Sequence, residues 1–106
     1  MLKTKEVTPI LEELKERTGV EGVVKVKFKP FKKKIASVSL TNRVIYLNSR
    51  VVSKLTRKEL EFLIAHELLH LKHGLFHSEE FEKELKNLFE SKEELEIGIL
   101  RKFLEN

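Results

Sequence analysis

A chain of 106 residues with a net charge of +4 fits one domain of modest core, and its mild basic excess falls short of the dense field of a dedicated nucleic-acid binder. The chain has no cysteine, which excludes disulfides and thiolate ligands and confines any zinc site to imidazole, carboxylate and water. No stretch approaches the roughly 18 apolar residues needed to cross a bilayer, and Met1 to Glu6 lack the apolar run of a signal peptide, so a soluble, cytoplasmic protein is expected.

In chain order, Thr8-Pro9 reads as the N-cap and first position of a helix whose apolar face is Ile10, Leu11 and Leu14, with Gly19 at its end. Val24, Val26 and Phe28 alternate with Lys25, Lys27 and Lys29, the period of a strand with one face buried and one in water. Pro30 ends that strand or marks its edge. Ala36, Val38 and Leu40 alternate again, and Thr41-Asn42 is a gap suited to a tight hairpin into Arg43 to Leu47. From Thr56 the pattern is helical, opening on a capping box, Thr56-Arg57-Lys58-Glu59. Apolar residues from Leu60 to Leu71 cover most of that helix's circumference, which predicts a central, buried element stopping at Gly74. Ser78 with Glu79 and Glu80 caps another helix reaching about Glu90, and Ser91-Lys92-Glu93-Glu94 reads as a second capping box opening a last segment to Leu104. The expected architecture is α+β: a small mixed or antiparallel sheet of about three strands on a central zinc-binding helix, with an N-terminal helix and C-terminal helices.

The central helix carries His66-Glu67-Leu68-Leu69-His70, an H-E-x-x-H stretch in which two imidazoles project from one face and can share a zinc ion while the glutamate serves as base. This chain's own His and Glu frequencies give a chance occurrence of roughly 2 per cent, so coincidence explains it poorly. Buried, unpaired imidazoles and carboxylates would be costly, which disfavours an ordinary amphipathic helix. His66 and His70 lie about 40 degrees apart and about 6 Å along the axis, within reach of one ion. Glu67 points beside the metal, where it can take a proton from the activated water and pass it to a leaving amine. His73 lies about 10 Å along the helix from His66, too far to join, and reads as a cation-capable residue at a helix C-terminus. His77, beyond the Gly74 turn, can double back as third ligand. Glu79 and Glu80 are the alternatives.

The stretch from His66 to Phe81, preceded by Val44-Ile45-Tyr46-Leu47-Asn48 and the Thr56 capping box, resembles the minigluzincins, very small metallopeptidases related to gluzincins. The likeness runs from about Val44 to Phe89; residues 1–43 match only in size and element order. The resemblance implies a soluble version of the catalytic domains of CAAX-processing and heat-shock membrane proteases, with an active-site helix under a small sheet and a histidine as third zinc ligand, in agreement with His77. It also implies latency through a C-terminal segment, laid over the cleft or exchanged between two molecules. Residues 1–90 are then a minimal zinc metallopeptidase domain and residues 91–106 a latency or dimerisation element, apolar at Leu95, Ile97, Ile99, Leu100, Phe103 and Leu104. A metzincin fits worse, because that signature places Gly three and the third His six residues after the second His, whereas here the offsets are four and seven.

The leading expectation is a zinc-dependent endopeptidase, isolated as an inactive zymogen, acting on peptide or protein substrates. The competing one is a metal-bearing regulatory or interaction module without activity; Glu67 favours the enzyme, since a purely structural site would use four protein ligands and need no base. Alternation makes Lys25, Lys27 and Lys29 the wet side of a strand, which disfavours a nucleic-acid partner. By elimination, Tyr46 and His73 are candidates to stabilise an oxyanion. With all 17 acidic residues Glu and no Gln, composition resembles that of hyperthermophile proteins and points to a heat-loving, archaeal or other prokaryotic source.

Overall fold

The computed structural model describes residues 4–105; residues 1–3, part of the stretch read as lacking a signal peptide, lie outside the described residues. The elements are α1 (Thr4–Thr18), β1 (Lys25–Lys29), β2 (Ala36–Ser39), β3 (Val44–Asn48), the short α2 (Ser49–Val52), α3 (Arg57–His73), α4 (Glu79–Leu88) and α5 (Lys92–Leu104). The sheet has the order β1-β3-β2. Its central strand β3 is parallel to β1 and antiparallel to β2, a mixed α+β arrangement as expected. None of the helices described is long and apolar enough to cross a membrane.

The side-chain alternation of a strand divides the sheet into two faces. Ile45 and Leu47 are fully buried, with Val26, Phe28, Ala36 and Val38 packed beside them against the helices. Lys27, Tyr46 and Ser37 stand side by side on the other face, and Lys25, Val44 and Ser39 form the next row. Helix α3 packs on the inner face and on α1. Leu60, Ile64, Ala65, Leu68 and Leu69 of α3 are fully buried, each of the larger ones contributing about 1.5–3 kcal/mol.

Three local expectations are corrected. Helix α1 begins at Thr4, so Pro9 is inside it; the proline forgoes one backbone bond, but Val7 before it is buried beside Ile10, and that burial extends the helix. Arg43 belongs to the hairpin turn, with φ of 55°; its amide donates to the Ser39 carbonyl at 2.8 Å, and its Nε donates to the Val23 carbonyl at 3.1 Å. Ser91 makes no side-chain cap. The short link from Leu88 to Lys92 leaves Ser91 at ψ 34°, away from the extended backbone that aims a capping hydroxyl at its target amide.

The Thr56 box does form: Glu59 N donates to Thr56 Oγ1 at 3.1 Å and Thr56 N to Glu59 Oε1 at 2.9 Å. Lys102 of α5 also donates to Glu59 Oε1. Burial alone pushes the Glu59 carboxyl up, but the bonds from Lys102 and Thr56 outweigh it and hold the carboxyl below its usual range. Gly98 lies against the same group, and a Cβ built there would collide with Glu59 Oε2. The glycine permits close approach of two helices.

An exposed helical Gly→Ala change stabilises by up to about 1 kcal/mol; here the sign reverses. Gly98→Ala is expected to destabilise by about 1–3 kcal/mol through overpacking, read as a fall in thermal midpoint. Because the Glu59 carboxyl is depressed, its contribution is present above pH 4.5 and lost as pH falls through its lower folded value. Glu59→Gln should flatten that acid limb of stability.

Candidate metal centre

The buried middle of α3 fixes His66 and His70 one turn apart, as the spacing expects. Gly74 closes α3 at φ 90°, and its amide donates to the His70 carbonyl at 2.8 Å. Positive φ favours glycine, and the reversal at Gly74 lets the chain return. Ser78 starts α4 by accepting from Phe81 N at 3.2 Å, and His77, just before that cap, is carried back beside α3.

Ligand atoms of His66, His70 and His77 all lie within 4.8 Å of one another. The ring centroids form a near-equilateral triangle, 4.8 Å between His66 and His70, 5.2 Å between His66 and His77 and 4.9 Å between His70 and His77. His70 Nδ1 is 3.0 Å from the Gly74 carbonyl oxygen, to which it donates, so Nε2 carries the lone pair and faces His77 Nε2 at 3.2 Å. Burial lowers the His70 pKa, the His66 and His77 rings adding to it against the Gly74 carbonyl and Glu67. A neutral imidazole oriented by a carbonyl is the ligand form, and the donor set therefore fits a divalent metal such as zinc. Glu79 and Glu80 are outside this cluster.

Glu67 is 5% exposed, with Oε2 3.2 Å from His66 Nδ1. It lines a cavity with His66, Phe62 and Leu63 of α3, the Lys34-Ile35-Ala36 segment entering β2, and Glu96 and Ile99 of α5. Glu67 therefore faces a space beside the histidines, bounded by the edge of the sheet and by the C-terminal helix.

Neither oxyanion candidate reaches that space. Tyr46 borders a groove on the outer sheet face with Lys25, Lys27 and Arg43. His73 Nε2 is 2.9 Å from Glu84 Oε1, and Lys72 Nζ donates to the Thr18 carbonyl and to Glu84 at 3.0 Å each. That network ties the ends of α1 and α3 to α4.

Two residues that sequence reasoning passed over shape the site. Phe81, fully buried, lies under all the clustered rings, 4.7 Å from His70, 4.8 Å from His77 and 5.3 Å from His66 by centroids. A lone aromatic in the acidic first turn of α4 was the available signal. Asn48, also fully buried, donates through Nδ2 to the carbonyls of Phe31 at 3.0 Å and Lys34 at 2.8 Å. It thereby holds the segment leading into the cavity wall. Nothing in the local pattern distinguishes Asn48 from a strand-ending turn residue.

Comparison with known proteins agrees with this geometry. Residues 2–97 match the family model described as YgjP-like, metallopeptidase domain. An uncharacterized protein of Aquifex aeolicus is 55% identical over 96 residues, covering 91% of this chain and 86% of that protein. One from Methanocaldococcus jannaschii is 51% identical over 79 residues, covering 74% and 72% respectively. Among solved structures, the metallopeptidase zymogen of Pyrococcus abyssi abylysin superposes with a TM-score of 0.83 at 35% identity, covering 91% of this chain and 93% of that one. The metallopeptidase zymogen of Methanocaldococcus jannaschii jannalysin gives 0.81 at 32% identity, covering 91% and 95%. Both are minigluzincin-type enzymes.

Phe81→Leu should keep the fold, at a cost of about 1–2 kcal/mol, yet loosen the stacked rings and weaken zinc binding at least about tenfold. Calorimetric titration of zinc into chelator-stripped protein measures this; Phe81→Ala should cost about 3–5 kcal/mol of stability.

Proposed function

This chain belongs to the YgjP-like metallopeptidase family, and from that membership we propose that it is a zinc endopeptidase held latent by its C-terminal segment. The observation that carries the reading is the triangle of imidazoles beside a buried glutamate, opening on a cavity whose far wall is α5. Peptide or protein substrates follow from the family.

His66, His70 and His77 would hold the ion, with the His70 tautomer set by Gly74. Zinc, when bound, supplies Lewis acidity that acidifies a water and polarises a carbonyl. Glu67 accepts the proton of the attacking water at its carboxylate and delivers it to the leaving amine. Its apolar neighbours Phe62 and Leu63 exclude bulk water, which strengthens electrostatic interactions there. No aspartate is present to compete as a ligand.

Latency draws its support from the packing of α5. Leu95 and Ile99 are buried against the body of the domain while Glu96 and Ile99 line the cavity. Residues 1–90 then form the catalytic unit and residues 91–106 the restraining element, seated on the same chain's α3. Ile97, Leu100 and Leu104 remain exposed, a surface through which α5 could instead bind a second copy.

The test pairs release with loss of the base. Cleavage of a quenched-fluorescent casein should rise at least about tenfold when residues after Ser91 are removed, or when Ile99→Asp expels α5 from the full-length chain. Adding Glu67→Ala should abolish that gain while zinc remains bound, since removing a general base costs about 10²–10⁴ in rate. Folded, zinc-loaded, released protein without Glu67-dependent cleavage would favour the inert metal-bearing module instead.

A further inference from the structure

Charge is not spread evenly along the chain. From Gly22 to Lys58 there are 11 Lys and Arg and no acidic residue, whereas the remaining residues carry 10 cations against 17 glutamates. Strand β1 brings Lys25, Lys27 and Lys29 to the exposed side of the sheet, and Arg43 borders the same groove. Among the described residues, none of these four cations lies within salt-bridge distance of a carboxylate. The Arg43 guanidinium spends donors on the backbone carbonyls of Val23 and Glu21.

We infer that this outer face of the sheet binds single-stranded nucleic acid. Alternate residues of a strand stand about 6.8 Å apart, about twice the 3.4 Å rise per nucleotide of a stacked strand, so the lysine row can meet every second phosphate. Tyr46 sits on the central strand between Lys27 and Ser37, half-buried, with Lys29 Nζ 4.6 Å from its ring centroid. A base can replace that ammonium on the ring face, releasing Lys29 to a phosphate. A cationic track with an aromatic platform is the usual combination for sequence-tolerant single-strand binding. Lysines that merely protect a sheet edge from pairing would not require a tyrosine on the central strand beside them. The face lies across the sheet from the histidines, so binding does not depend on the peptidase reading.

Fluorescence anisotropy of labelled dT20 with the full-length protein, repeated with Glu67→Ala to separate binding from catalysis, tests the assignment. Binding should weaken with salt at a logarithmic slope of about −2 to −3, as about four phosphate contacts require. Lys25→Glu/Lys27→Glu should lose at least about tenfold in affinity and flatten the slope. Tyr46→Leu should lose about tenfold with the slope kept, and Tyr46→Phe should restore binding. Thermal melts verify that each variant is folded. No binding at 50 mM salt would overturn the inference. So would affinity indifferent to the lysine reversals, or tighter binding to duplex DNA, polyglutamate or phosphatidylserine vesicles.

Discussion

Three imidazole rings compete for one small volume, and the placement of the surrounding chain follows from making that tolerable. His70 and His77 bring ring nitrogens to 3.2 Å, a distance at which like-charged rings repel and neutral rings must share a proton or a cation. Burial and neighbouring rings keep His70 on the neutral side, while the Gly74 carbonyl takes its other nitrogen. Phe81 then fills the space beneath the rings. Rings packed this closely cannot swing away from a common point without opening a void, and voids in a core are costly. Preorganisation here is a packing effect as much as a matter of ligand identity.

The same helix is anchored at both ends by charged contacts that reach other elements. At its start, Glu59 caps the backbone and binds Lys102 of α5; at its end, Lys72 and His73 converge on Glu84 of α4. The C-terminal helix is therefore attached to the element that carries His66, Glu67 and His70, and its Gly98 lets the attachment be close. A helix mounted this way borders the cavity directly, because Glu96 and Ile99 come from the helix that Glu59 and Lys102 hold down. Cap, ion pair and close approach share one carboxylate, so loosening α5 and fraying the start of α3 are coupled events.

Periodicity and capping made most of the fold legible. The Thr56 box, the Gly74 stop and the Ser78 cap stand where residue chemistry placed them, because each satisfies backbone groups within a few residues. What escaped was set by tertiary context. Pro9 reads as a helix start until Val7 is seen buried before it, and Ser91 reads as a cap until the short link twists it away. The place of Gly98 becomes clear only with Glu59 found beside it. At the site, the spacing of His66, His70 and His77 conveyed the cluster and Phe81 showed only as a lone aromatic among glutamates, whereas Asn48 acts across distances in sequence that no local pattern encodes. Tyr46 and His73 were singled out only by scarcity, and scarcity says nothing about direction.

Net charge hides a spatial pattern for a related reason. The value of +4 averages a carboxylate-free segment, +11 over residues 22–58, against a remainder of −7. Averaging is legitimate only where unlike charges lie within one screening length, about 8 Å at physiological salt. The molecule extends 32 × 27 × 23 Å, so charges on opposite sides do not cancel at either surface. A strand cannot reveal this alone, because alternating lysines look the same whether their neighbours are glutamates or serines. Pairing β1 with β3 supplies the neighbours, Val44, Tyr46 and Asn48, with Ser39 and Ser37 of β2 beyond the first two. The fold thus separates two chemistries across one thin sheet: clustered imidazoles and a buried carboxylate on the helical side, and a row of cations beside a tyrosine on the open side.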